Sequence, residues 1–193
     1  MHKFDPTHSH VLDSEERQKY QSPNVLQEII KPQKNEILVD VGTGTGYYLF
    51  PLAKDLRMAV GVDISSKMLE RAHDKQKLSD YPNVLLLCSR ETSLPFYSNQ
   101  VDVVLMANML HEANNAVDLI KDIHRILKPG GRFITTDWKK IEHGFGPPVH
   151  HRISAEEAIN ILKKGGFIEV ESLPGYEFHY ILKSYKEKKS SKE

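Results

Sequence analysis

The chain has 193 residues, 39% hydrophobic and 27% charged, a length and composition typical of one soluble globular domain. Lys+Arg and Asp+Glu are both 26, so no broad positive surface favours nucleic acid, and we expect none as a partner. One cysteine excludes an internal disulfide framework, and no leader peptide or apolar run of bilayer length is recognisable, so we expect a cytoplasmic protein without a membrane span.

Strand and helix patterns alternate along the chain. Near the N-terminus, Asp13-Ser-Glu-Glu16 resembles a capping box, and Ser22-Pro23 begins a further helix. Core strands are then predicted at 36–41, 58–63, 84–88, 101–106 and 132–136, with helices from 47 to about 56, after Ser65, over 116–127 and after Ser154. Two last strands, near 167–172 and 178–182, face each other across Pro174-Gly175, which predicts an antiparallel hairpin.

This alternation is typical of α/β architecture with a mostly parallel sheet. We expect a single domain that consists of N-terminal cap helices at 1–31 and a core at 36–183. A lysine- and serine-rich tail at 186–193 has no apolar anchors, so we expect it to be disordered.

The strongest signal is the segment Val39-Asp-Val-Gly-Thr-Gly-Thr-Gly46, which lies where the first strand turns into a helix. Glycines there let the backbone turn tightly and approach a ligand closely. Asp63 ends the next strand, about 20 residues on, where a carboxylate accepts hydrogen bonds from ribose hydroxyls. Together these features predict a site for a nucleoside cofactor.

The spacing of the glycine loop indicates which cofactor is bound. A dinucleotide site needs a small residue three positions after the middle glycine, and Tyr47 occupies that position here. Asp40, two residues before the first glycine, would repel a pyrophosphate but suits an α-ammonium group. An NAD(P)-dependent oxidoreductase is therefore the less favoured alternative.

The segment Asp40–Gly46 resembles motif I of class I S-adenosylmethionine-dependent methyltransferases, and Gly61-Val-Asp-Ile64 resembles motif II. Ser93–Phe96, Val101–Val104 and Leu127–Gly131 resemble later landmarks of the ubiquinone-biosynthesis-like branch, methyltransferase type 11. The resemblance implies a three-layer Rossmann-like methyltransferase fold with a seven-stranded, mostly parallel sheet and an antiparallel final strand. It also implies methyl transfer from S-adenosylmethionine to a small molecule, with S-adenosylhomocysteine as the product.

The same resemblance assigns roles to individual residues. The glycine loop would lie along the methionine portion with Asp40 near its ammonium, while Asp63 would hold the ribose and Ile64 would cover the adenine. Ser89 stands where the family has an aspartate that binds the adenine amine, so Glu91 or backbone groups remain alternatives there. The complete set of expected cofactor-binding residues is Tyr20, Asp40, Gly42, Thr43, Gly44, Gly46, Asp63, Ile64, Ser89, Arg90, Glu91 and Asn108.

The methyl acceptor is expected beyond the carboxyl ends of the fourth and fifth strands. The predicted substrate pocket comprises Asn108, His111, Asp137, Trp138 and His150, the last in a glycine- and proline-containing loop at 139–152 that would form part of a lid. His111 is the candidate general base, since imidazole titrates near neutral pH.

Three further points concern metal binding, oligomeric state and the second alternative function. The ten histidines match no zinc-binding pattern, so we predict no metal site. The chain is expected to be a monomer or a homodimer. A non-catalytic module that binds S-adenosylmethionine is the second alternative function, because a fold and a cofactor pocket do not establish chemistry.

Overall fold

The structure, a computed structural model, describes residues 13–188. Its centre is a seven-stranded sheet with the strand order β3-β2-β1-β4-β5-β7-β6. The strands are β1 Ile37–Val41, β2 Met58–Asp63, β3 Val84–Cys88, β4 Val101–Ala107, β5 Leu127–Trp138, β6 Ile168–Leu173 and β7 His179–Tyr185. The first five run parallel, and β7 is antiparallel to both of its neighbours, β5 and β6. The expected mostly parallel sheet with an antiparallel final strand is thus confirmed.

Helices cover both faces of this sheet. They are α1 Glu15–Tyr20, α2 Pro23–Ile30, α3 Leu49–Ala53, α4 Ser66–Leu78, α5 Ala116–Ile126 and α6 Ala155–Lys164. Because side chains alternate along a strand, Leu38 packs with α2 and α3 on one face while Val39 packs with α5 and α6 on the other. The three-layer arrangement expected from the sequence follows from these two apolar clusters.

Short polar side chains fix where several helices begin. Ser65 accepts a hydrogen bond from the amide of Met68, and Ser154 forms a complete capping box with Glu157. The expected capping box at residues 13–16 is wrong in register, because the residue that caps α1 is Ser14. The Asp13 carboxylate instead accepts a hydrogen bond from the Thr45 hydroxyl and pairs with Lys75.

Two elements differ in length from their predictions. The helix expected from residue 47 is confined to α3, which has five residues. β5 begins at Leu127, five residues before the predicted start, and its first pairing, with Val101 of β4, is followed by a register shift. The glycines and proline at 129–131 correctly predicted where α5 ends, but they gave no indication that the backbone continues as a strand.

The first residue of the C-terminal tail is bonded to the rest of the domain, although we expected it to be disordered. The Lys186 amide donates to the Gly131 carbonyl, and its ammonium donates to the carbonyls of His124 and Leu127 at 2.8 and 2.9 Å. Disorder beginning at residue 186 is therefore not what the structure shows, whereas 189–193, like 1–12, lie outside the described residues. Within residues 13–188, no helix is both long enough and apolar enough to cross a bilayer.

Candidate functional site

A cavity of about 1060 Å³ lies at the carboxyl ends of the parallel strands, between the sheet, α1 and the loop at 139–152. Its walls contain the glycine loop, the ends of β2 and β4, and residues 145–148 of that loop. Most of the expected site residues line it: Tyr20, Asp40, Gly42, Thr43, Gly44, Asp63, Ile64, Ser89, Arg90, Glu91, Asn108, His111 and Trp138. A cavity of this size has room for a nucleoside cofactor together with a small molecule.

The glycine loop is held against the end of β2 by its own amides. The Gly42 and Thr43 amides donate to the Val62 carbonyl at 2.8 and 3.0 Å. Gly42 has a φ of +73°, and a Cβ at this position would lie 2.2 Å from Cγ of Met109. Residue 42 must therefore be glycine for both backbone conformation and space.

Asp63 lies at the carboxyl end of β2, beside the loop. One carboxylate oxygen accepts the Gly44 amide and the other accepts the Ser65 amide, both at 2.9 Å. These bonds orient the carboxylate and leave lone pairs on each oxygen for further donors. Burial raises the pKa of Asp63, although the backbone amides oppose this shift. The arrangement fits a ligand with two neighbouring hydroxyl groups, such as a ribose.

Asp40 lies deeper, with 2% of its surface exposed, and the Thr43 hydroxyl donates to it at 2.9 Å. Burial raises the pKa of Asp40 to about 7, and the negative charge of Asp63 adds to the shift. A buried carboxylate without a cationic partner at hydrogen-bonding distance is costly, and an ammonium group offsets that cost. Asp40 therefore suits a ligand with a positive charge.

The predicted adenine end is open to solvent. Ile64 is 42% exposed, and the Ser89 amide donates to the Asp63 carbonyl at 2.9 Å. The Glu91 carboxylate already accepts hydrogen bonds from the amides of Asn114 and Asn115. Ser89 and Glu91 both line this end of the cavity, so both remain candidates for the adenine amine.

Two residues of the N-terminal cap that the sequence analysis missed also line the cavity, Arg17 and Gln21. Gln21 is fully buried and exchanges two hydrogen bonds with Asn108, at 3.1 and 3.0 Å. The Gln21 side chain also accepts a hydrogen bond from the Arg17 guanidinium at 3.1 Å, and the Tyr47 hydroxyl donates to the Gln21 backbone carbonyl. The sequence offered one indication that the side chains of Arg17 and Gln21 interact, since residues four positions apart lie on the same face of a helix. The cap is thus joined to the end of β4 directly across the cavity.

Beyond β4 and β5 the cavity wall is aromatic. Tyr20, Trp138, Phe145 and Phe178 line it, and Phe145 lies 5.0–5.7 Å from the other three ring centroids. His179 is buried behind Tyr20 and Trp138, and burial together with nearby positive charges lowers its pKa to about 3. This histidine is neutral at physiological pH, so the wall is uncharged and apolar.

His111 and Asp137 form a hydrogen-bonded pair at the edge of this wall. Nδ1 of His111 lies 2.7 Å from one oxygen of Asp137, and the His111 amide donates to the other at 3.1 Å. Asp137 also accepts the Trp138 amide. Burial works to lower the pKa of His111, but the hydrogen bond and charge of Asp137 outweigh it and the net shift is upward. With the Nδ1 proton directed at Asp137, Nε2 is the atom able to accept a proton.

Three expected site residues lie outside the cavity. Asp137 is 1% exposed and lies behind His111, so it positions the imidazole rather than contacting substrate. A Cβ on Gly46 would lie 2.4 Å from the Phe50 ring, so this glycine serves packing against α3. His150 faces a separate, shallower recess beside Glu142 and Gly144. His150 therefore does not line the large cavity, where the substrate pocket was expected. No group of three potential metal ligands occurs within residues 13–188.

Comparison with known proteins agrees with this geometry. Residues 39–135 match the methyltransferase domain family. A demethylmenaquinone methyltransferase from Listeria welshimeri is 27% identical over 128 residues, which cover 61% of this chain and 54% of that protein. A ubiquinone/menaquinone biosynthesis C-methyltransferase from Haemophilus ducreyi is 28% identical over 153 residues, covering 76% of this chain and 56% of the relative. The chain thus spans about half the length of these curated relatives.

Among solved structures, an S-adenosylmethionine-dependent methyltransferase from Aquifex aeolicus superposes with a TM-score of 0.89. It is 28% identical, and the match covers 95% of this chain and 99% of that one. The family match includes the glycine loop, Asp63 and the end of β4, which form the sheet side of the cavity. The chain belongs to the methyltransferase domain family, the S-adenosylmethionine-dependent methyltransferases.

Proposed function

We propose that this chain transfers the methyl group of S-adenosylmethionine to a small-molecule acceptor by in-line displacement, with His111 as the base. The observation that carries the proposal is one continuous cavity lined by Asp40, Asp63 and His111, with Asp137 bonded to His111 from behind the wall. A cofactor site and an acid–base group in the same enclosed space are what a transfer reaction requires.

The residues present fit the cofactor. Asp63 would accept hydrogen bonds from the ribose hydroxyls, Asp40 would face the ammonium, and the glycine loop would lie along the methionine portion. When bound, S-adenosylmethionine supplies a methyl group activated by its sulfonium. The protein's contribution is then to align the acceptor and to exclude water.

His111 supplies the remaining step when the acceptor carries a proton on its nucleophilic atom. Asp137 fixes the tautomer with Nδ1 protonated, so Nε2 accepts the acceptor's proton. The resulting imidazolium is stabilised by the buried Asp137 carboxylate, in the manner of other His–Asp pairs. Oxygen or nitrogen nucleophiles with an ionisable proton are therefore favoured.

Support for a small acceptor comes from the walls of the cavity. The N-terminal cap and the loop at 139–152 both line the cavity together with His111, which limits the space for an acceptor. The neutral aromatic wall favours a flat, uncharged ring, and two relatives carry names that refer to quinones. We accordingly include phenols and quinols among the acceptors.

Calorimetry with S-adenosylmethionine, S-adenosylhomocysteine and NADPH, followed by an assay for S-adenosylhomocysteine release with phenols, quinols and amines, tests the proposal. We expect both sulfur nucleosides to bind and a phenol or quinol to stimulate turnover. Binding without turnover across the panel would favour a non-catalytic module. Binding of NADPH alone would favour an oxidoreductase.

A further inference from the structure

One buried guanidinium organises the whole loop between β5 and α6. Arg152 is 4% exposed, and its Nε donates to the Pro147 carbonyl at 2.7 Å. One terminal nitrogen lies 2.7 Å from the Ile141 carbonyl and 2.6 Å from Nε2 of His143, and the other donates to the Phe145 carbonyl at 2.9 Å. The Lys139 carbonyl lies at 3.2 Å. Acceptors on alternate residues from 139 to 147 therefore surround a single side chain.

This arrangement depends on the geometry of arginine. The guanidinium has five N–H donors in a fixed plane, whereas lysine has three donors on a single atom. The partners of Arg152 in the described part of the chain are carbonyls and one imidazole. Because Nε2 of His143 acts as an acceptor, this histidine is neutral, and both burial and the charge of Arg152 lower its pKa.

The loop segment held in this way forms part of the wall near His111. Phe145, Gly146, Pro147 and Pro148 line the cavity, and Phe145 packs against Tyr20 with ring centroids 5.2 Å apart. A Cβ on Gly146 would lie 2.9 Å from the ring of Trp138, so backbone and indole are in close contact. The Arg152 guanidinium also lies 5.5 Å from the centre of the same indole.

We propose that Arg152 is a positioning residue that holds the loop at 139–152 in a preformed shape and so determines which acceptors fit beside His111. The inference rests on the proposed function for the identity of the acceptor site, but the structural role of Arg152 is testable without any acceptor. Loss of the guanidinium releases Phe145 and Pro147 from the wall, while Asp40 and Asp63 stay in place on other elements.

The guanidinium also bears on acceptor selectivity. It lies over the indole of Trp138, and the Arg17 guanidinium lies 4.1 Å from the centre of the Tyr47 ring. Aromatic faces that already contact a cation attract a second one weakly, because like charges repel. The loop as held by Arg152 therefore favours flat, uncharged acceptors over cationic ones.

Trp138 is the only tryptophan in the sequence, so its fluorescence reports on this wall directly. In Arg152→Gln we expect a red-shifted emission and an acrylamide quenching constant about twofold higher or more, because the indole becomes accessible to water. Amide hydrogen exchange at Ile141 and His151, whose amides donate to the Lys139 and Pro148 carbonyls, should be about tenfold faster or more, because the loop that contains these bonds is released. Arg152→Lys should give intermediate values, and it also serves if the glutamine variant fails to fold.

Lys140→Gln is the matched control, because it removes a positive charge from the same loop at a half-exposed side chain that pairs with Glu157. It should leave quenching and exchange as in the wild type. Unchanged quenching and exchange in both Arg152 variants would overturn the inference.

Two ligand measurements separate this inference from the proposed function. The affinity for S-adenosylhomocysteine should stay within about threefold of wild type in Arg152→Lys, because the residue does not line the cofactor cavity. With 1-naphthol as the acceptor probe, KM should rise about tenfold or more while kcat changes much less. A fall in kcat at unchanged KM would contradict a positioning role. If the wild type binds no S-adenosylhomocysteine, the proposed function fails while the quenching result still decides the role of Arg152.

Discussion

Replacing Asp63 with alanine tests the placement of the cofactor most directly. Each carboxylate oxygen already accepts one backbone amide, from Gly44 and from Ser65, both at 2.9 Å. The carboxylate is therefore fixed in orientation before any ligand arrives, and its remaining lone pairs are available to two hydroxyls. A preorganised acceptor of this kind contributes more to affinity than a mobile one.

The size of the effect follows from the number of bonds lost. Two charge-assisted hydrogen bonds are worth about 1.5–3 kcal/mol each when their partners are buried. Water enters the truncated site and replaces part of this, so we expect a net loss of about 2–3 kcal/mol, or about 30- to 150-fold in Kd.

The measurement is isothermal titration calorimetry with S-adenosylhomocysteine, combined with thermal unfolding to show that the variant is folded. Asp74→Ala is the matched control, because Asp74 lies on α4 with a 74% exposed side chain and pairs with Lys77. It should bind as the wild type does. A folded Asp63→Ala protein with wild-type affinity would refute the assignment of this carboxylate to the ribose.

Three further predictions concern other parts of the cavity. With a phenol acceptor, activity should rise with pH as His111 loses its proton. Because Asp137 raises the pKa of His111, Asp137→Asn should move this rise to lower pH and cut kcat by about 10²-fold or more. A rise at the same pH in the variant would exclude His111 as the base. Since burial raises the folded-state pKa of Asp40 to about 7 from 3.8, ionisation destabilises the ligand-free fold as pH rises between these values. Asp40→Asn should therefore be more stable than wild type at alkaline pH, by up to about 4 kcal/mol, but not at acidic pH. Denaturant unfolding at both pH values measures this difference, and a difference that does not change with pH would contradict the reasoning. Gln21→Ala should speed S-adenosylhomocysteine dissociation about tenfold in stopped-flow fluorescence, because the two hydrogen bonds between the N-terminal cap and Asn108 are lost. An unchanged dissociation rate would mean that these hydrogen bonds do not retain the ligand.

Much of the cofactor half of the site was predictable because its signals are local. The glycine loop and Asp63 follow directly on strands, and the strands were recognisable from runs of β-branched residues. Once the sheet is parallel, the ends of β1 and β2 must meet at one edge. The adenine contact was less certain, and both candidates, Ser89 and Glu91, line the cavity.

The acceptor half depended on contacts between residues far apart in the sequence. His150 was expected in the pocket because it lies in the lid loop, but the turn of that loop around Arg152 points it toward another recess. Asp137 was expected to contact substrate, and its burial behind His111 makes it a support instead. No local pattern encodes either outcome.

The sequence alone predicted the α/β fold, the mostly parallel sheet and the type of cofactor, because strand periodicity, glycine spacing and the position of a following carboxylate are short-range properties of the chain. Tertiary structure alone decided that Gln21 meets Asn108 and that His111 pairs with Asp137, across 87 and 26 residues respectively. Such pairings arise from how helices and loops pack over the sheet edge, and the free energy of that packing is distributed over the whole core rather than any one segment.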